Sequence, residues 1–179
     1  MLKKISEYLV TRAERRIGVE LDSARRISQV DFGLFRRYGS IFSFLDGNSK
    51  APPVAYHAAR LRGALASDCG TCVEAEINLA RNSGLDASLV DRVLSGEYAE
   101  LPDEVAAVAR LSDAVVARRE DDPDARMLIV ERYGEAALIE IAFAMNGAAL
   151  LPGIKRTMGY ATACNLDILR RQAQAMNAR

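Results

Sequence analysis

Two of the three cysteines stand in Cys69-Gly70-Thr71-Cys72, three positions apart. At that spacing one sulfur can attack the other after oxidation and close a small disulfide ring with little backbone movement. The attacking species is the thiolate, so such a pair needs a neighbour that lowers a thiol pKa, either a helix N-terminus or a base. Glu76 follows Cys72 by four residues, on the same helical face, and the only histidine, His57, lies on the preceding helix, where a turn near Asp68 can fold it back. Cys69, Cys72, His57 and Glu76 are therefore the candidate catalytic residues. Thr71 followed by Glu74 has the capping-box pattern, and Asp68 is the alternative N-cap; either start leaves a thiol at the positive end of the helix dipole.

The elements that must position these groups are helical. The chain has 179 residues, enough for one domain with its own core, and half of them are apolar. Trp is absent and Ala, Leu, Arg and Glu abound, which favours helix over sheet. No run alternates as a strand would. Lys and Arg total 24, as do Asp and Glu, so the basic excess of a phosphate-driven nucleic-acid binder is missing. Residues 1–50 carry 10 basic and 6 acidic side chains, whereas 68–140 carry 7 and 17; the plain reading of this imbalance is solvated helix faces. The longest uncharged stretch, Ile141 to Ile154, has 14 residues, short of the roughly 20 needed to span a bilayer. No export signal is visible, and the expectation is a cytoplasmic protein without membrane or nucleic-acid partner.

Hydrophobic spacing predicts an amphipathic helix ending near Gly18, a second from an Asp22 N-cap through Ile27, Val30 and Leu34 with Gly39–Leu45 extending or bending it, and a break at Asp46–Ser49. A third helix starts at Pro52-Pro53 and runs to about Ala66, and a fourth runs from the Cys-x-x-Cys to Asn82-Ser83-Gly84. Further helices are predicted over 87–94, 102–118, 123–133, 135 to about 150 and 154–176. The whole reads as a single helical domain, 1–179, with an N-terminal extension (1–50), a redox core (51–160) and a C-terminal helix end (161–179).

Over residues 50 to 160 the chain resembles the alkylhydroperoxidase D-like branch of the carboxymuconolactone decarboxylase superfamily. That family carries a Glu, twelve residues later Cys-x-x-Cys, and four residues after the second Cys a His. The likeness continues in Leu79-Ala80-Arg81-Asn82-Ser83-Gly84-Leu85, in the acidic, alanine-rich segment from Pro102 to Val116, and in the apolar Ile139–Leu150 segment with Asn146. Here the flanking partners are exchanged, His57 standing where the family has Glu and Glu76 where it has His. A Glu–His pair works as a unit, so the expectation is that His57 and Glu76 still meet one thiol and ionise it. The resemblance implies an all-α, multi-helix fold assembled as a homo-oligomer, trimer or hexamer. It also implies hydroperoxide reduction in which Cys72 is peroxidatic and Cys69 resolving, with an external dithiol, lipoyl or thioredoxin-like, as reductant. No bound cofactor is implied.

Three other readings compete. A redox sensor or partner-binding subunit with a regulatory disulfide would oxidise once without turnover. Structural zinc would need His57 and Cys164 to complete a Cys3His set, although Cys164 has no paired ligand at finger-like spacing and reads most simply as a buried small residue. Decarboxylase chemistry is disfavoured by the Cys pair itself.

Overall fold

The computed structural model describes residues 2–45 and 49–175. Among them the protein is all-α: ten α-helices and no strand. They are α1 (Leu2–Ile17), α2 (Asp22–Val30), α3 (Phe32–Leu45), α4 (Pro53–Ala66), α5 (Gly70–Asn82), α6 (Ala87–Ser95), α7 (Asp103–Ser112), α8 (Pro123–Tyr133), α9 (Glu135–Thr157) and α10 (Leu166–Ala175).

The core is built on α4 and α9, which cross at Gly63. An added Cβ there would lie 2.2 Å from the Met145 carbonyl oxygen, so only hydrogen lets the two backbones approach. Around this crossing pack Leu61, Val73, Ile77, Val90, Val105, Val108, Ile129 and Ile141, all essentially inaccessible to solvent. The N-terminal helices lie on this core through α5 and α9. Asn78 and Asn82 of α5 donate to the carbonyls of Ile17 (2.8 Å) and Arg16 (3.3 Å), caps for the end of α1. Leu45, at the end of α3, fills the space above Gly147 of α9, and the Phe44 and Phe143 rings stack at 4.6 Å beside it. Glu140 of α9 accepts the backbone N–H groups of Ser49, Lys50 and Ala51, which fixes the entry into α4.

Several predicted boundaries move. The second predicted helix is two, because Asp31 adopts extended backbone and its carboxylate accepts the Leu34 N–H at 2.7 Å, capping α3. Asp22 is the first residue of α2, with Leu21 at the N-cap position. The predicted 102–118 helix continues past Ser112 as a π-helical stretch, Asp113–Arg118, whose Asp113 is held bidentately by Arg62 at 2.7 and 2.6 Å. The predicted break near Leu150 is absent: α9 runs through a buried Pro152 to Thr157, and the chain turns at Gly159, which has φ +79°. An irregular strap, 158–165, separates it from α10, where a helix from residue 154 was expected. Because α9 runs unbroken, by length and composition it could cross a membrane; in this fold it is the main partner of α4. The predicted break at Asp46–Ser49 lies mostly outside the described residues, as does Met176.

Candidate active site

Cys69 is the N-cap residue of α5 and Cys72 lies in its first turn. Neither Thr71 nor Asp68 caps the helix. Asp68 sits at φ +47°, a conformation that Asp tolerates better than most residues, and thereby turns the chain from α4 into α5. The cap comes from the strap: Thr162 accepts the N–H of Gly70 through its carbonyl oxygen (3.1 Å) and that of Thr71 through its hydroxyl (3.2 Å). The Cys164 N–H donates to Asp68 Oδ1 at 3.1 Å, and Arg156 ties down the carbonyls of Ser67 and Asp68 at 2.8 and 2.7 Å. Gly70 is needed here, since a Cβ would meet the Ala163 carbonyl oxygen at 2.7 Å. Asp68, Arg156, Gly159, Thr162 and Ala163 help line an open cavity of about 230 Å³ on this side.

The two sulfurs are adjacent free thiols. Cys69 is fully buried and Cys72 partly exposed. The pair titrates as a unit, and the charge rests on Cys69. Its thiol is lowered to about 5 by the hydrogen bond from Cys72, against the cost of burial, with help from the Thr71 hydroxyl, the Cys72 N–H and the positive charge of Lys155. Cys72 is pushed well above the usual thiol range, because it holds its proton for Cys69 and partial burial disfavours its charged form. Thr71 Oγ1 lies 3.7 Å from the Cys69 sulfur and accepts a 2.6 Å hydrogen bond from Lys155 Nζ, itself buried at the end of α9. From α3, Tyr38 lies in the field of the same pair; burial, then the negative charge of the dithiol, raise its phenol to about 12.

The expected His57–Glu76 couple is not formed. Both oxygens of Glu76 are taken by Arg60, through Nε at 2.6 Å and Nη2 at 2.9 Å, and Arg60 Nη1 also donates to the Tyr56 hydroxyl at 2.8 Å. Among the described residues no hydrogen bond joins His57 to either thiol, and its Nδ1 is buried without a partner. Burial, then the nearby Arg60 charge, lower His57 to about 4, so the ring is neutral. Glu76 reaches the sulfurs only through its field, which raises Cys72. The zinc reading also lacks a geometric basis, since no three His, Cys, Asp or Glu side chains converge among the described residues. Asn146 is exposed and bonds to its own helix at the Ala142 carbonyl.

Sequence reasoning missed Arg60, Thr71 as a thiol partner, Lys155, and Thr162 as the cap. Lys155 carried one signal, as the charge that ends the uncharged stretch Ile141–Ile154. No protein-family model, curated protein or solved structure matches the chain.

Proposed function

We propose that the protein is a Cys-x-x-Cys thiol peroxidase that reduces hydroperoxides at the expense of an external dithiol, lipoyl or thioredoxin-like. The observation that carries this reading is the pair of adjacent free thiols at the start of α5, one of them ionised near pH 5. That pH lies well below neutrality, so the pair holds a thiolate under ordinary conditions.

The division of labour follows exposure and charge. Cys72 is the sulfur a small oxidant reaches. Cys72 hands its proton to the Cys69 thiolate and, as a thiolate, attacks the terminal peroxide oxygen; the O–O bond breaks, and the proton passes on from Cys69 to the departing alkoxide. Cys72 becomes a sulfenic acid and the alcohol leaves. Cys69, again a thiolate, attacks the Cys72 sulfur and displaces hydroxide, which takes up a proton as water, leaving the disulfide. A thiolate of the external dithiol then attacks Cys72, and Cys69 departs as a stabilised, low-pKa leaving group. The second thiol of the reductant frees Cys72 and closes its own disulfide. Cys69 thus supplies the proton acceptor that His57, bound to neither sulfur, does not.

The exposed apolar side chains Met127, Ile139, Phe143 and Leu150 on α8 and α9 support self-association, the trimer or hexamer that the resemblance implies. Turnover tests the function. With a dithiol donor, the full chain should consume many equivalents of hydroperoxide, and Cys72→Ser should abolish this. Oxidation that stops after one equivalent, with a Cys69–Cys72 bond by mass spectrometry, would leave a redox sensor instead.

A further inference from the structure

Lys155 is 8% exposed, and among the described residues its ammonium is in no ion pair. A buried charge without a counter-charge is costly, so a lysine so placed needs an anion nearby. Its one described hydrogen bond goes to Thr71 Oγ1 at 2.6 Å, and that oxygen lies 3.7 Å from the Cys69 sulfur. The Thr71 hydroxyl accepts from the ammonium and has its own proton left to offer, which aims an O–H at Cys69. Cys72 also feels the Lys155 charge, but no hydroxyl relays it there: the Thr71 contact is with Cys69 alone.

We infer that Lys155, acting through Thr71, is the buried counter-cation of the Cys69 thiolate, a positioning residue that decides which sulfur carries the charge and biases the pair towards its reduced form. This rests on the dithiol reading above and deepens it. When the Cys69–Cys72 bond forms, the thiolate disappears and Lys155 is left buried without its anion. The disulfide is thereby disfavoured, and an external dithiol reduces it more readily. The remaining charged and titratable groups around the pair do not replace Lys155. Glu76, from α5, is paired with Arg60; Tyr38, from α3, stays protonated; Cys164, from the strap, is pushed up by burial, then by Asp68 and Cys69; Arg156 is engaged with the carbonyls of Ser67 and Asp68.

Two measurements on the full chain test this without any peroxide: thiolate absorbance against pH, and the redox equilibrium with reduced and oxidised dithiothreitol. Lys155→Met should move the thiolate titration upward by about one pH unit and shift the equilibrium about tenfold towards the disulfide. Lys155→Arg keeps the charge and should stay near wild type, whereas Thr71→Val should shift in the direction of Lys155→Met. The double variant Thr71→Val/Lys155→Met should move less than the sum of the two. An unchanged titration in Lys155→Met, or an equal shift in Lys155→Arg, would overturn the counter-cation role; full additivity would overturn the route through Thr71. Helix content by circular dichroism confirms that each variant is folded. Loss of peroxide turnover with these shifts intact would sink the peroxidase reading alone.

Discussion

Arg60 grips Glu76 in a two-pronged ion pair, Nε to Oε2 at 2.6 Å and Nη2 to Oε1 at 2.9 Å, with both side chains almost wholly buried between α4 and α5. Burial works against the Arg60 charge, and the Glu76 carboxylate more than restores it. Removing one partner strands the other charge in the core. Arg60→Met should cost about 3–5 kcal/mol in urea unfolding, whereas Arg60→Met/Glu76→Leu should recover most of that loss. A single variant as stable as wild type would show that water enters to solvate Glu76.

His57 has its own pH signature. Its folded pKa is lowered to about 4, from burial and then Arg60, so in acid the unfolded chain takes up a proton that the folded one refuses. The contribution is fully present above the usual histidine pKa and is lost as pH falls towards 4. His57→Leu should flatten that acid limb and, by removing the unpartnered Nδ1, hold or raise stability at pH 7 by roughly 1 kcal/mol. It should leave the thiolate titration near pH 5 unmoved. A thiolate titration that follows the His57 substitution would restore the histidine as the base.

Much of the helical layout is legible because helix periodicity and end signals are local. Gly18, Pro53 and Asn82-Ser83-Gly84 mark ends that the fold keeps. Pro152 misled because a proline's lost hydrogen bond is a local penalty, while the burial that carries α9 past it is tertiary. The dithiol was legible for the same reason as the helices, since three residues of spacing fix it. Its partners were not. His57 and Arg60 are three residues apart on one face of α4, and spacing alone does not rank them for Glu76. Lys155 comes from 84 residues beyond Thr71, across a contact that only the packing of α5 on α9 creates.

The crossing at Gly63 and the strap at Gly70 differ in what a methyl group would meet. At Gly63 the obstacle is the Met145 carbonyl in the centre of the core, at 2.2 Å. Gly63→Ala should therefore force α4 and α9 apart and destabilise by about 3 kcal/mol or more. At Gly70 the obstacle is the Ala163 carbonyl at 2.7 Å, on a strap at the surface. Gly70→Ala should leave global unfolding nearly unchanged and expose the strap instead, seen as faster hydrogen exchange at the Gly70 and Thr71 amides that Thr162 holds. Equal losses of stability at both sites would refute this ranking.

The thiol pair should give the reduced protein a stability maximum in mildly alkaline solution. Cys69 has a folded pKa near 5, below the ordinary thiol value, so its contribution is complete above that value and is lost as pH falls through 5. Cys72 has the opposite sign: its folded pKa is raised, so above the ordinary thiol range the unfolded chain ionises there and gains on the folded one. Between the two, stability should climb towards about 8.5, with a slope of at most one proton above about pH 6.5, where the His57 contribution is already complete, and then decline. Urea midpoints at pH 5, 7, 8.5 and 10 under reducing conditions check this. Cys69→Ser should remove the rise above about pH 6.5, leaving the His57 limb below it, and it should also weaken the decline, because Cys72 then no longer holds its proton for a neighbouring thiolate. A wild-type profile that is flat between about pH 6.5 and 8.5 would mean that Cys69 ionises no more readily in the fold than in the open chain.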